Sequence, residues 1–188
     1  MLMQTHEARL DALRKQLAKD GLDGFVVPIS DEHMSEYVGA YAQRLEWLTG
    51  FGGSAGTAVV LRDEAAIFVD GRYTLQVRDQ VDGKLWSYQS VPQTSIAAWL
   101  GEHAPEGARI GYDAWLHAKG WADGVARALQ PRGATLVPVT ANPIDAVWQD
   151  RPAPSLAPAV PHADEHAGKP AHEKRADVAE WLTARMRN

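Results

Sequence analysis

The chain has 188 residues, 45% hydrophobic and 23% charged, with a formal net charge of -5 and no cysteine. That length and balance fit a soluble globular domain, or one domain with part of a second. The missing cysteine excludes a disulfide framework and thiolate chemistry, and the absence of a concentrated basic stretch excludes a nucleic-acid or anionic-membrane surface. Met1 to Glu7 lacks the basic-then-apolar pattern of a secretory signal, and no run of about 18 apolar residues is present to span a membrane. A cytoplasmic location is therefore the expectation. The seven tryptophans are expected chiefly as core or interface anchors.

Thr5 to Asp20 predicts an amphipathic helix. Leu10, Leu13 and Leu17 recur at helical spacing, with Thr5 as N-cap and Gly21 as the stop. Phe25 to Pro28 is a short, fully apolar run that predicts a central strand. Ser30 to Tyr37 follows as a polar cluster holding Asp31, His33 and Glu36. It is either a capped turn or a polar rim at a strand end, the place where α/β proteins hold ligands.

Trp47 and Leu48 lie in a helix-like segment. The glycine-punctuated stretch from Gly50 to Thr57 then leads into Ala58–Leu61, a turn at Arg62–Glu64, and Ala65–Val69. This predicts a β-hairpin, with Asp70-Gly71-Arg72-Tyr73 at its far strand end. Arg72 to Asp82 predicts a short helix and Leu85 to Ser90 a strand. Thr94 is the expected cap of a helix holding Ile96, Trp99 and Leu100. Ala108–Tyr112 predicts a strand, Asp113 to about Leu129 a helix, and Ala134–Val139 a last strand. Asn142 before Pro143 has the cap-then-first-turn pattern of a further short helix. The whole predicts a three-layer α/β/α fold with a mixed sheet of about six strands.

Composition then shifts. Residues 151–170 carry Pro152, Pro154, Pro158, Pro161 and Pro170, which predicts a semi-rigid linker after a domain spanning 1–150. His172-Glu173-Lys174-Arg175-Ala176-Asp177 matches His6-Glu7-Ala8-Arg9-Leu10-Asp11 at His, Glu, Arg and Asp. Residues 171–188 are thus expected to be the first helix of a second copy of the domain, cut short by a truncation.

Two patterns that suggest chemistry fail on context. Gly52-Gly53-Ser54-Ala55-Gly56 matches the nucleophile elbow by letters, but an elbow needs a strand before the serine and a helix after it. His162 and His166 lie four apart, yet in a proline-rich tether nothing holds them in coordination geometry. No metal site is expected in these 188 residues.

Four stretches together carry a resemblance. They are Asp31-x-His33-x-Ser35-Glu36-Tyr37; Arg44-x-x-Trp47-Leu48-Thr49-Gly50-Phe51-x-Gly53-Ser54-Ala55-Gly56-Thr57; Asp70-Gly71-Arg72-Tyr73; and Asn142-Pro143-Ile144-Asp145-x-x-Trp148-x-x-Arg151-Pro152. The chain resembles the N-terminal, ribonuclease H-like domain of three-domain Xaa-Pro aminopeptidases, members of the creatinase/prolidase superfamily. Such enzymes remove an N-terminal residue that precedes proline, using two divalent metals, typically manganese, held by a C-terminal domain. The resemblance thus implies a hydrolase by family but an inactive, metal-free chain here, peptide substrates with proline second, and a homodimer. It also implies that the domain limits access to the cleft and assists assembly.

An N-terminal ammonium is best held by a carboxylate, so Glu36 is the first candidate for the cleft, then Asp31, with His33 and Arg72 beside them. The alternative is that Glu36 pairs with Arg44 or Arg72 and only holds the loop. Asp70, Arg44, Trp47, Gly53 and Gly56 are expected to be structural. Three other readings stand beside this one: a prolidase or creatinase sibling, a stand-alone interaction module, and a small-molecule enzyme using the strand-end cluster.

Overall fold

In the computed structural model, which describes residues 5–186, the chain forms two compact units, Met1–Pro154 and Ser155–Asn188. The first four residues, read above for a targeting signal, and the last two of the expected tail helix lie outside the described residues. Among the described residues, no helix is long and apolar enough to cross a membrane.

The first unit runs α1 (His6–Lys19), β1 (Gly24–Pro28), α2 (Arg44–Thr49), β2 (Gly56–Leu61), β3 (Ala65–Asp70), α3 (Gln76–Gln80) and β4 (Ser87–Val91). It continues with α4 (Ile96–His103), β5 (Arg109–Asp113), α5 (Lys119–Leu129), β6 (Thr135–Val139) and α6 (Pro143–Val147). The strands form one six-stranded sheet in the order β4-β3-β2-β1-β5-β6. Strand β2 is antiparallel to both neighbours, whereas the β1–β5, β3–β4 and β5–β6 pairs are parallel. The sheet is therefore mixed, as the hairpin required.

Period-two alternation sends the central strands' side chains to two separate cores. Phe25, Val27, Ala58, Val60, Ile67 and Val69 pack with Leu10, Leu13 and Leu17 of α1, Leu45 and Leu48 of α2, and Ile144 of α6. Val26, Val59, Leu61, Ala66 and Phe68 pack with Trp99 and Leu100 of α4 and Val125 and Leu129 of α5. Helices thus cover both faces, the three-layer arrangement expected. Each fully buried leucine or isoleucine contributes on the order of 2 kcal/mol. Trp47, Trp86, Trp99 and Trp148 are buried, whereas Trp115 and Trp181 are exposed.

Local chemistry shifts several expected boundaries. Ser95, not Thr94, caps α4, accepting from the Ala98 amide at 3.1 Å. Helix α5 starts at Lys119 rather than Asp113, because Asp113 ends β5 and its carboxylate caps a 3-10 turn through the Trp115 amide at 3.0 Å. The expected helix from Arg72 to Asp82 divides into a 3-10 turn, Gly71–Tyr73, and the short α3.

The second unit holds α7 (Asp164–Ala167) and α8 (Ala171–Met186). A short helix therefore interrupts the stretch expected as linker. In α8, Val178, Trp181, Leu182 and Met186 are exposed. Their spacing does not follow the four-residue match to α1. In that register the buried Leu10, Leu13 and Leu17 correspond to Ala176, Ala179 and Thr183. The apolar faces of the two helices are out of phase in that register.

Candidate functional site

Because β2 alone runs against the others, the ends of β1 and β3 and the start of β2 emerge at one edge of the sheet. Three polar segments meet there: the loop after β1, the glycine-rich loop before β2, and the turn after β3.

Asp31 is buried, at 3% exposure. Its Oδ1 accepts from the amides of His33 at 3.0 Å and Ser35 at 2.9 Å, folding the loop back on itself. The Met34 amide donates to the Asp31 carbonyl at 3.1 Å, and Met34 takes a left-handed φ of 55°. Burial pushes the Asp31 carboxyl up, but donation from Ser35 and His33 outweighs it and holds the group below the ordinary aspartate value. Asp31 is thus the lock of the loop. His33 is solvent-exposed, 3.9 Å from Glu32.

Glu36 stands differently. It is exposed, and among the described residues no side chain or backbone group bonds to its carboxylate. It does not pair with Arg44 or Arg72, whose carboxylate partners lie elsewhere. Glu36, Tyr37 and Val38 line a groove of about 410 Å3 together with Ser54, Tyr73 and Gln76. The Tyr73 hydroxyl lies 2.6 Å from Ser54 Oγ. That hydrogen bond draws the phenol below its ordinary pKa. The Tyr73 ring meets Phe51 edge-on, with centroids 5.5 Å apart. Gly53 is the reason the two rings can close up: a Cβ there would lie 2.3 Å from Phe51 Cζ and 2.8 Å from Tyr73 Cδ1. A Cβ on Gly56 would similarly strike Phe51 at 2.8 Å.

Asp70 and Arg72 satisfy each other at the rim. Asp70 Oδ1 accepts the Arg72 amide at 2.9 Å, and Arg72 Nη2 reaches Asp70 Oδ2 at 2.7 Å. The Arg72 side chain is 66% exposed, and neither residue lines the groove.

Arg44 belongs to a separate, buried assembly. Its Nε and Nη2 form a fork on Asp145, at 2.7 and 2.9 Å. Arg151 Nη1 approaches the same carboxylate at 2.8 Å, while its Nε donates to the Tyr41 carbonyl at 2.7 Å. Trp47 stacks on Trp148 with centroids 5.5 Å apart and planes 21° apart. Asn142 caps α6 through the Ile144 amide and donates to Asp113 at 3.0 Å. Asp145 and Trp148 thus clamp the end of the domain onto α2, while Asn142 ties it to Asp113 and Arg151 to the Tyr41 carbonyl.

Of the sequence candidates, the structure brings Glu36 to the groove and leaves Asp31, His33 and Arg72 outside its lining. Ser54, Tyr73, Tyr37 and Gln76 were missed as site residues, although Ser54, Tyr73 and Tyr37 stand within the motif stretches. Ser54 is preceded by α2, followed by β2 and hydrogen-bonded to a phenol, so the hydroxyl has a structural partner rather than a base. Among the described residues no three His, Asp or Glu side chains gather to hold a metal ion. His162 and His166 lie with ring centroids 5.4 Å apart in the second unit, with no third ligand. What the groove offers is a free carboxylate beside hydroxyl and amide groups, suited to holding a cation and fixing its orientation.

Comparison with known proteins gives a consistent picture. The model of the creatinase/prolidase N-terminal domain matches residues 9–147. Xaa-Pro aminopeptidase 2 of Rattus norvegicus is 35% identical over 175 residues, which is 93% of this chain and 26% of that protein. The chain therefore spans about a quarter of the length of the curated relatives it matches. Among solved structures, the X-prolyl aminopeptidase of Caenorhabditis elegans, described as a cytosolic enzyme with a di-nuclear active site, superposes with a TM-score of 0.85 at 28% identity. That superposition covers 97% of this chain and 32% of the worm enzyme. The N-terminal domain of the cytoplasmic peptidase PepQ from Mycobacterium tuberculosis gives a TM-score of 0.57 at 26% identity, over 74% of this chain and 98% of that one.

Proposed function

The chain belongs to the creatinase/prolidase N-terminal domain family, and on that premise we propose that it is the non-catalytic N-terminal part of a metal-dependent Xaa-Pro aminopeptidase. The full enzyme removes an N-terminal residue that precedes proline, acts in the cytoplasm, and works as a homodimer. Its two divalent metals, manganese by this reading, are held by a C-terminal domain. The domain boundary falls near residue 150, and α8 opens a second domain. Support for an aminopeptidase over a prolidase sibling comes from the closer superposition on the worm enzyme, which extends over 97% of the chain.

The observation that carries the role of this part is the unpaired Glu36 carboxylate in the strand-end groove. Its neighbouring acids are neutralised: Asp31 by loop amides, Asp70 by Arg72. Glu36 is the carboxylate that lines the groove, where it can attract a substrate's ammonium, and the groove walls limit what reaches it. The test is turnover by the full-length, manganese-loaded enzyme on peptides that differ only at the second residue. Release of the first residue from the proline peptide, and not from its alanine counterpart, supports this reading. Equal release from both contradicts it.

A further inference from the structure

The opposite edge of the sheet holds a second cavity with a different character. The C-terminal half of α1, the loop that follows it, and the end of β2 enclose about 290 Å3, lined by Arg14, Leu17, Ala18, Leu22, Leu61 and Arg62 among others. That is at the lower end of small-ligand pockets, which run from roughly 300 Å3 upward. Leu17 and Leu22, from the core under α1, supply an apolar surface, and Leu61 presents its carbonyl.

The charges there are arranged with one cation to spare. Arg14 Nε donates to the Leu61 carbonyl at 3.1 Å, which fixes the plane of the guanidinium. Among the described residues no carboxylate lies within ion-pair distance of Arg14, so its Nη groups keep their donors free. Asp23, the acid of the cavity, is already satisfied: Oδ1 by Arg62 Nη2 at 2.9 Å and Oδ2 by the Arg109 amide at 3.0 Å. Of the acids nearby in sequence, Asp20 accepts from Gln16 and Glu64 meets His103, while Asp11 and Asp63 are solvent-exposed. An oriented, uncompensated guanidinium beside aliphatic side chains matches an anion that carries a short hydrocarbon tail.

We propose that this cavity, remote from the Glu36 groove, is a binding site for a short aliphatic carboxylate, held by Arg14 through its head and by Leu17 and Leu22 through its tail. Arg62 acts indirectly by masking the Asp23 carboxylate, which would otherwise repel the ligand.

Amide chemical shifts of the 188-residue chain, titrated with hexanoate, hexanol, acetate and inorganic phosphate, test the proposal. Hexanoate should give saturating shifts confined to residues around Ala18, Leu22, Asp23 and Arg62, and should bind about tenfold tighter than hexanol or acetate. Arg14→Gln should weaken hexanoate about tenfold while leaving hexanol unchanged. If Arg14→Gln loses its native spectrum, Arg62→Gln serves instead. That side chain is 73% exposed, and its removal should weaken hexanoate several-fold by unmasking Asp23. The proposal is overturned if hexanoate and hexanol bind alike, if phosphate or acetate binds as well as hexanoate, or if hexanoate gives no saturating shift. It is equally overturned if the folded Arg14 variant, or the Arg62 variant in its place, binds hexanoate unchanged.

Discussion

The Arg44–Asp145–Arg151 clamp and the Glu36 groove use the same residue types for opposite ends. In the clamp, the Arg44 side chain is 7% exposed and the one carboxylate of Asp145 serves two arginines. In the groove, Glu36 is exposed and unpaired. A buried charge without a partner is strongly destabilising, whereas a solvated one is tolerated and remains free to act. The contrast separates scaffold from site more sharply than the motifs do, since both regions lie within the motif stretches.

Breaking the clamp should have the largest effect. Asp145→Ala strips Arg44 of its fork and should lower unfolding free energy by about 3–5 kcal/mol, read by urea denaturation. Gly53→Ala is expected next. The added methyl meets Phe51 and Tyr73 well inside contact distance. Overpacking of this kind costs about 1–3 kcal/mol, and because Tyr73 lines the groove, the same change should also disturb the Ser54 contact.

A smaller effect is expected from His117. Its ring stacks on Trp121 at 4.0 Å and its Nδ1 lies 2.9 Å from the Asp113 carbonyl, while the buried Nε2 has no partner. Burial holds its pKa below the ordinary 6.5. The unfolded chain therefore takes up the proton first. The ring's contribution is complete above pH 6.5 and is lost as pH falls below that value toward the folded-state pKa. His117→Phe should flatten thermal stability between about pH 7 and pH 5. The slope should shrink without vanishing, because burial and Arg9 lower the pKa of His6 in the same direction. An unchanged slope would mean that His117 is not the group that titrates.

Where the information is local, the sequence carried it. The leucine spacing of α1, the apolar run of β1, the hairpin, and the Asn142 cap followed by Pro143 all lie within a few residues of their cause. What stayed hidden depends on distance along the chain. Arg44 meets Asp145 across 101 positions, and no periodicity encodes that choice. The groove is hidden for the same reason, since Glu36, Ser54 and Tyr73 converge only once β1, β2 and β3 are paired. The boundary errors at Ser95 and Lys119 have a different origin. Adjacent residues had equivalent capping chemistry in the first case, and in the second Asp113 could either start a helix or end a strand.

The central claim is that Glu36 faces the substrate while the clamp only holds the fold. Steady-state kinetics and urea denaturation of Glu36→Gln in the full-length enzyme test it most directly. The account predicts that kcat/KM on a proline-second peptide falls roughly five- to tenfold, mainly through KM, with the unfolding midpoint unchanged. A kcat/KM equal to that of the unaltered enzyme would contradict it.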